Sequence, residues 1–295
     1  MPPAVIPAQA GIQRWSGTPF AALDPRFRGG AAGRAEGAAM ALRSALVNVM
    51  AGAALKAARG LLRDFGEIEQ LQASRRGPAG FAGAAARRAE STLLDALRRA
   101  RPDYGALSAE GGEVAGRGSS RRWLVDPIGG ATNYLHGVPH FCTAIALVED
   151  GRCVAGTVYD PVRDEMFWAE RGAGAYLNDR RLRVSARAAL IDAVVATGLE
   201  RLDSVTPKVA GARRPGSAAL DLAYVAAGRY EGCWQEGLEP WQMAAGIVLV
   251  REAGGYVSDF DGGERMLESG TVVAANDRLH PAIAGLVGAS ARPSR

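Results

Sequence analysis

Apolar residues repeat at helical spacing in the first patterned part of the chain. The repeat is carried by Leu42, Leu46, Val49, Met50, Ala53, Ala57 and Leu61. Apolar positions three or four residues apart predict an amphipathic helix that reaches about Phe65. A second helical pattern covers about Ala84–Ala100, and Arg101-Pro102 ends it because the residue before a proline disfavours the helical conformation.

Residues 123–184 follow a different pattern, with short apolar or alternating runs that are typical of strands. Pairs of turn-forming residues separate these runs: Asp150-Gly151, Asp160-Pro161, Arg171-Gly172 and Asn178-Asp179. Short strands joined by tight turns predict an antiparallel meander.

The last third of the chain alternates predicted strands and helices. A strand over Ala193–Thr197 precedes a helix that has Ser217 as its N-cap and Gly228 just past its end. The elements predicted after it are a strand over Tyr230–Trp234, a helix over Trp241–Ala253 stopped by Gly254-Gly255, strands over Tyr256–Ser258 and Val272–Ala275, and a helix from Pro281. Helices and strands in this mixed order predict a layered α/β fold.

Composition narrows the class of protein. The chain has 295 residues, of which 48% are hydrophobic and 22% charged, as is typical of a soluble globular protein. A net charge of +4, without aromatic residues between the arginine pairs, does not indicate nucleic-acid binding. Three cysteines without CxxC spacing favour a reduced, cytoplasmic protein. The chain has no unbroken run of 18 apolar residues, so the sequence does not predict a membrane-spanning segment.

Residues 1–39 differ from the rest of the chain. They are rich in Pro, Gly, Ala and Arg and have no sustained periodicity. We predict a disordered or non-native leader here, with Met40 as the start of the folded unit; a regulatory tail is the alternative. The predicted domain therefore spans residues 40–290.

The segment Trp123–Gly137 contains the most informative chemistry. An apolar strand leads to Asp126, and a glycine turn then opens a short helix. Phosphoryl chemistry uses this layout, with a carboxylate for a metal ion and free backbone N–H groups for phosphate. Two interpretations of Gly129, Gly130 and Ala131 stay open: a phosphate-binding segment or a simple tight turn.

Several ordered motifs resemble one known family. They are Ala73–Ala79, Pro102–Gly105, Asp126-Pro-Ile-Gly-Gly-Ala-Thr-Asn133, Asp164–Glu170, Ala219–Arg229 and Trp241-Gln-Met-Ala-Ala-Gly246. From Met40 to about Val287 the chain resembles a bacterial inositol monophosphatase. The resemblance implies an αβαβα sandwich of the inositol monophosphatase and fructose-1,6-bisphosphatase type. It also implies a cytoplasmic homodimer that uses Mg²⁺ to hydrolyse phosphate esters of inositol or related polyols.

The resemblance also assigns roles to positions. Asp126 and the carbonyl of Ile128 match metal ligands, and Glu110 matches a supporting Glu. Metal-ligand carboxylates of the family are replaced by Ala109, Gly129 and Gln242. The Thr that activates water and its supporting Asp are replaced by Ala131 and Ala86. The positions that match substrate contacts are Gly216, Ser217, Ala218 and Gln235, the last in place of a Glu.

These replacements all remove an acid or a hydroxyl from the expected catalytic cleft. Mg²⁺ prefers hard oxygen ligands in octahedral geometry, and one carboxylate with one carbonyl is a small donor set. We therefore predict a protein that has weak phosphatase activity or none. The alternatives are an active enzyme with a remodelled site, a binding or scaffold pseudoenzyme that keeps the dimeric fold, and a decayed gene.

Overall fold

The computed structural model describes residues 43–71, 77–198 and 205–291, so the predicted leader over 1–39 lies outside it. Its helices are α1 (Ala45–Leu71), α2 (Gly77–Ala100), α3 (Ala131–Leu135), α4 (Ala218–Ala226), α5 (Pro240–Glu252), α6 (Met266–Ser269) and α7 (His280–Ala291). The predicted start of α2 at Ala84 is wrong by about two turns. Pro78 lies in the true first turn, where its missing N–H costs no hydrogen bond.

Helix α1 is also longer than predicted, because the polar residues after Phe65 continue the helix without adding to the apolar pattern. Its Ala45–Glu67 segment is long and apolar enough to cross a membrane by length and composition, which a search for unbroken apolar runs did not detect. One face, which includes Val47, Met50 and Leu61, packs in the core against α2 and the first sheet. These contacts are those of a core helix.

The first sheet has eight strands in the order β2-β1-β3-β4-β5-β6-β7-β8. They are β1 (Gly105–Ser108), β2 (Gly112–Val114), β3 (Arg121–Gly129), β4 (Cys142–Glu149), β5 (Arg152–Asp160), β6 (Glu165–Glu170), β7 (Gly174–Leu177) and β8 (Arg180–Arg181). The predicted meander is confirmed, because β3 to β8 pair in sequence and antiparallel. Strands β1 and β2 were not predicted, and β1 runs parallel to β3.

The second sheet has the order β10-β9-β11-β13-β12. Its strands are β9 (Val194–Thr197), β10 (Gly211–Arg213), β11 (Gly232–Gln235), β12 (Tyr256–Ser258) and β13 (Val272–Ala275). The bounds predicted for β12 and β13 are confirmed, while β10 was not predicted. Strands β9, β10 and β11 run parallel, so their carboxyl ends lie at one edge of this sheet.

Helices α4 and α5 pack between the two sheets, α1 and α2 cover the outer face of the first, and α7 covers the outer face of the second. This confirms the αβαβα sandwich. Close packing of α5 on β5 depends on Gly156, since a Cβ atom there would lie 2.7 Å from the carbonyl oxygen of Ala245. The backbone of α5 therefore packs directly against the backbone of β5 at this point, because Gly156 has no side chain.

Candidate functional site

The carboxyl ends of β3, β9 and β11 and the first turn of α5 meet at one cleft. Ligands of layered α/β proteins commonly bind at the carboxyl ends of parallel strands. The cleft has a volume of about 180 Å³. It is lined by Asp126, Gly129, Gly130, Thr197, Gly198, Arg214, Gly216, Ser217, Ala218, Ala219, Gln235, Leu238 and Gln242.

Strand β3 presents Asp126 through an irregular end. The pairing of β3 with β4 shifts register between Asp126 and Gly129, and Gly130 then takes φ +105°, a left-handed conformation that opens α3. A Cβ atom at Gly130 would also lie 3.0 Å from the carbonyl oxygen of His140. Gly130 is thus required by both its conformation and its surroundings.

The Asp126 carboxyl is buried, and Oδ1 accepts a hydrogen bond from the Ile128 N–H at 3.1 Å. Burial raises the pKa of Asp126 to about 7. The hydrogen bond from Ile128 opposes this rise, and the nearby Glu90 carboxylate adds to it. Among the described residues that line the cleft, Asp126 is the only acidic one, and one of its oxygens is already used by the turn itself.

The position of Gly129 is filled by its neighbours. Gly129 lies directly opposite Cys142 on β4. A Cβ atom at Gly129 would lie 2.9 Å from the Cys142 Sγ, 3.1 Å from an Asp126 oxygen and 3.5 Å from the Ser217 hydroxyl. Ser217 occupies the predicted N-cap of α4, but its hydroxyl donates instead to the Gly129 carbonyl at 3.0 Å. A larger side chain at 129 would displace these groups.

Gln242 stabilises the start of α5. Its Oε1 accepts a hydrogen bond from the Glu239 N–H at 2.9 Å, while the Glu239 side chain accepts from the Gln242 backbone. This reciprocal pair is a capping box, which satisfies donors that the first helical turn leaves unpaired. Gln242 therefore has a structural role as well as a place in the cleft.

Gln235 at the end of β11 is bound to a carboxyl that the sequence analysis missed. Its Nε2 donates to Asp221 Oδ2 at 2.8 Å, and Asp221 is completely buried on α4. Burial raises the pKa of Asp221 to about 8, and the hydrogen bond from Gln235 opposes this rise. The sequence feature that could have revealed Asp221 is a single acidic residue inside the apolar run Ala218–Ala226.

The other predicted positions lie outside the lining of the cleft. Ala109, Glu110 and Ala131 are exposed, and Ala86 is buried on α2. The Glu110 carboxylate lies 3.9 Å from the Arg87 guanidinium. Its backbone N–H donates to Glu90, a buried acid on α2 that the sequence analysis also missed. Ile128 is buried in the core beside Asp126.

These donors do not fit the Mg²⁺ site that the resemblance implied. Within the described residues, no group of three or more His, Cys, Asp or Glu side chains could hold a metal ion. Asp126 and the Ile128 carbonyl remain, and one Asp126 oxygen accepts from the backbone. Magnesium needs near-octahedral oxygen coordination, usually with one or two carboxylates and substrate phosphate. In the part of the chain that the structure describes, the side chains around Asp126 do not provide the clustered carboxylates of a two-metal centre.

Comparison with known proteins gives a consistent family assignment. A family model described as "Inositol monophosphatase family" matches residues 42–292. The inositol-1-monophosphatase of Mesorhizobium japonicum is 51% identical over 253 residues, covering 82% of this chain and 95% of the relative. The Nus factor SuhB of Pseudomonas aeruginosa is 42% identical, covering 81% and 94% of the two chains. The crystal structure of extragenic suppressor protein suhB from Bartonella henselae matches with a TM-score of 0.77 and 46% identity, covering 83% and 99%.

Proposed function

Because the chain belongs to the inositol monophosphatase family, we propose that it is a member whose Mg²⁺-dependent phosphatase activity is lost or severely impaired. The substrate class of the ancestral activity is inositol phosphate or a related polyol phosphate. The observation that carries the proposal is at Gly129, where a Cβ atom would lie 2.9 Å from the Cys142 Sγ and 3.1 Å from an Asp126 oxygen, so that an acidic side chain needs these groups to shift. The proposal assigns this role to residues 40–290.

The chemistry of phosphate ester hydrolysis explains why a shortage of metal-ligating oxygen atoms is important. Hydrolysis of phosphate monoesters is among the slowest uncatalysed reactions and needs accelerations up to roughly 10²¹-fold. When bound, clustered metal ions lower the pKa of water and neutralise charge on the attacking and leaving oxygens. Asp126 can position a single cation at best, and its partners Ala109, Gly129 and Gln242 offer no carboxylate.

The protein groups that would orient the attacking water are also replaced. The family Thr is Ala131 here, so no hydroxyl can accept or relay a proton at that position. The Asp that supports this Thr is Ala86 on α2. Each of these groups acts together with the metal ions. Their replacement therefore lowers the activity beyond the effect of losing the metal ligands alone.

A second candidate function is a non-catalytic binding or scaffold protein. Two observations favour it: the interlayer packing is intact, and relatives at 39–42% identity carry the name Nus factor SuhB. The replaced residues also take part in the fold, through the Gln242 cap and the Gln235–Asp221 bond. By family resemblance we propose a cytoplasmic homodimer for this role.

Restoration of the family residues tests the proposal, and the structure dictates how. Gly129→Asp needs room, so it is combined with Cys142→Ala, and with Ala86→Asp, Ala109→Glu, Ala131→Thr and Gln242→Asp. Parent, restored variant and the Cys142→Ala control are incubated with inositol 1-phosphate and millimolar Mg²⁺. We expect phosphate release from the restored variant alone.

Turnover by the parent at a rate comparable to the restored variant would refute the proposal. If the restored variant folds but stays inactive, replacement of these ligands is not sufficient to explain the loss. Circular dichroism and thermal melting of all three proteins separate inactivity from unfolding.

A further inference from the structure

A separate cavity, here called the distal cavity, lies at the end of the first sheet opposite to the cleft. It has a volume of about 380 Å³, within the range of small-ligand sites. It is formed by the start of α1, the segment after α2, the amino end of β3, the carboxyl ends of β4 and β6, and the start of β5. Arg121 in this cavity and Asp126 in the cleft are roughly 17 Å apart along β3. The two sites are therefore distinct.

Three apolar side chains form the floor of the distal cavity. Leu46 in the first turn of α1 and Val154 on β5 are half-buried, and Leu147 on β4 is 3% exposed. Covering apolar surface with a ligand releases it from water, which is favourable in proportion to the area covered. The floor therefore favours a ligand with an apolar body.

One wall of the distal cavity carries a charge pair that is already matched. The Arg121 guanidinium donates to the Glu149 carboxylate at 2.7 Å and to the Tyr104 hydroxyl at 2.8 Å. It also lies over the Tyr104 ring, 5.6 Å from the ring centroid. These contacts hold the guanidinium in place, and Glu149 balances its charge. The wall therefore shapes the cavity and adds no net charge to it.

Three further charged side chains line the distal cavity: Arg101, Glu170 and Arg171. Within the described residues, none of the three takes part in an ion pair. A guanidinium has five N–H donors, so Arg101 keeps most of them after it donates to the Ala100 carbonyl at 2.8 Å. Arg171 is exposed and Glu170 is half-buried. The cavity thus offers two cations to a carboxylate and one carboxylate to an ammonium group.

From this arrangement we propose that the distal cavity binds a free α-amino acid with an apolar side chain. Arg101 and Arg171 contact its carboxylate, Glu170 contacts its ammonium group, and the apolar floor contacts its side chain. A simple anion fits less well, because the Glu170 carboxylate repels it and stays unpaired. A zwitterion with an apolar body matches all three features together. This inference goes beyond the proposed function, which concerns the cleft.

Isothermal titration of the full chain with L-leucine and L-phenylalanine tests the proposal. We expect saturable binding of at least one of them. The corresponding amine, which lacks the carboxylate, and the corresponding acid, which lacks the ammonium group, serve as matched ligands. Each should bind about tenfold more weakly or less, since each loses a charge-assisted hydrogen bond.

Substitutions locate the binding in the distal cavity. Arg171→Gln and Glu170→Gln each remove one charge with little change in side-chain length, and each should weaken amino-acid binding about tenfold. In Glu170→Gln the acid should bind as well as the amino acid, because no carboxylate then repels it. Arg152→Gln is the control: Arg152 is also an exposed arginine at this end of the sheet, but it lies outside the lining of the cavity. Circular dichroism checks that the variants are folded.

Absence of saturable binding by both amino acids would overturn the inference. So would equal binding of the parent to the amine or the acid, or an equal loss of binding in Arg152→Gln. These titrations involve neither Mg²⁺ nor turnover, so their failure leaves the proposed function standing. Phosphate release by the parent in Mg²⁺ refutes that function and leaves the distal cavity untouched.

Discussion

The layer between the two sheets and the cleft at its edge each contain a glycine with no room for a side chain, but different atoms crowd them. At Gly156 in the interlayer region, the nearest atoms are backbone atoms of Ala245 on α5. At Gly129 in the cleft, the nearest atom is the side-chain sulfur of Cys142. Backbone crowding is set by the architecture, whereas side-chain crowding is local and reversible. At Gly156 the fold itself therefore excludes a side chain, whereas at Gly129 a change in one neighbouring side chain makes room for it.

Under the proposed function, this difference explains how metal ligands are replaced while the fold is kept. Clustered carboxylates repel one another and are held for function rather than stability. Their neutral replacements are accommodated by small changes such as the Gln242 cap and the Ser217 bond to Gly129. A side chain at Gly156 has no comparable local remedy, because the atoms that crowd this position belong to the backbone of Ala245.

The largest effect is expected for Gly156→Ala. The added Cβ atom would lie 2.7 Å from the Ala245 carbonyl oxygen, so α5 must move away from β5. Overpacking against backbone should lower the free energy of unfolding by about 3 kcal/mol. Chemical denaturation measures the change. Gly52→Ala is the control, since no atom lies within 4 Å of a Cβ there.

Gly52 lies in α1, so its replacement by alanine should stabilise the protein by up to about 1 kcal/mol. Equal stability losses at Gly156 and Gly52 would contradict the view that backbone contact limits the interlayer region.

Asp221 connects the two regions, and its ionisation should make stability depend on pH. Burial raises its folded-state pKa from 3.8 to about 8, so the folded protein keeps a proton that the unfolded chain releases. The stabilisation is complete below the unfolded pKa and is lost as pH rises to about 8. Between pH 6 and pH 8 the parent should lose up to about 3 kcal/mol relative to Asp221→Asn, at 1.36 kcal/mol per pH unit.

Urea denaturation of the parent and Asp221→Asn at both pH values measures this difference. The variant keeps an acceptor for Gln235, so its hydrogen bond survives. Parallel pH profiles for the two proteins would show that Asp221 is ionised in the folded state.

Gly129→Ala tests the cleft side of the comparison directly. Alone it should cost about 1 to 2 kcal/mol, because the Cβ atom displaces the Cys142 sulfur. Combined with Cys142→Ala, the cost should fall below the sum of the single changes by about 1 kcal/mol, since contacting residues couple. A double-mutant cycle by denaturation gives the coupling. Strict additivity would mean that Cys142 does not fill the space.

Sequence reasoning reached the parts of the molecule that have local signals. The strands β12 and β13 and the helix between Ser217 and Gly228 follow from apolar runs and from glycines at their ends. Gly228 indeed takes φ +67° just past α4. The short strands β1 and β2 were missed because they are brief and, in β2, fully exposed.

Prediction of the cleft from the sequence was also limited to local signals. Motif matching named eight of its lining residues: Asp126, Gly129, Gly130, Gly216, Ser217, Ala218, Gln235 and Gln242. What it could not supply were contacts between residues far apart in the chain. The Cys142–Ser217 contact spans 75 residues, and the Glu90–Glu110 bond spans 20. Such pairs become visible only when the fold brings distant segments of the chain together.

The smallest effect is expected at Gln242, and it decides whether this residue belongs to the fold or only to the cleft. Gln242→Ala removes the oxygen that accepts from the Glu239 N–H, so one half of the capping box is lost. A lost capping interaction should lower the free energy of unfolding by about 0.5 to 1 kcal/mol. Gln242→Glu keeps that oxygen and should unfold like the parent in the same denaturation experiment. If Ala and Glu have equal stability, the cap contributes nothing, and the glutamine serves the cleft alone.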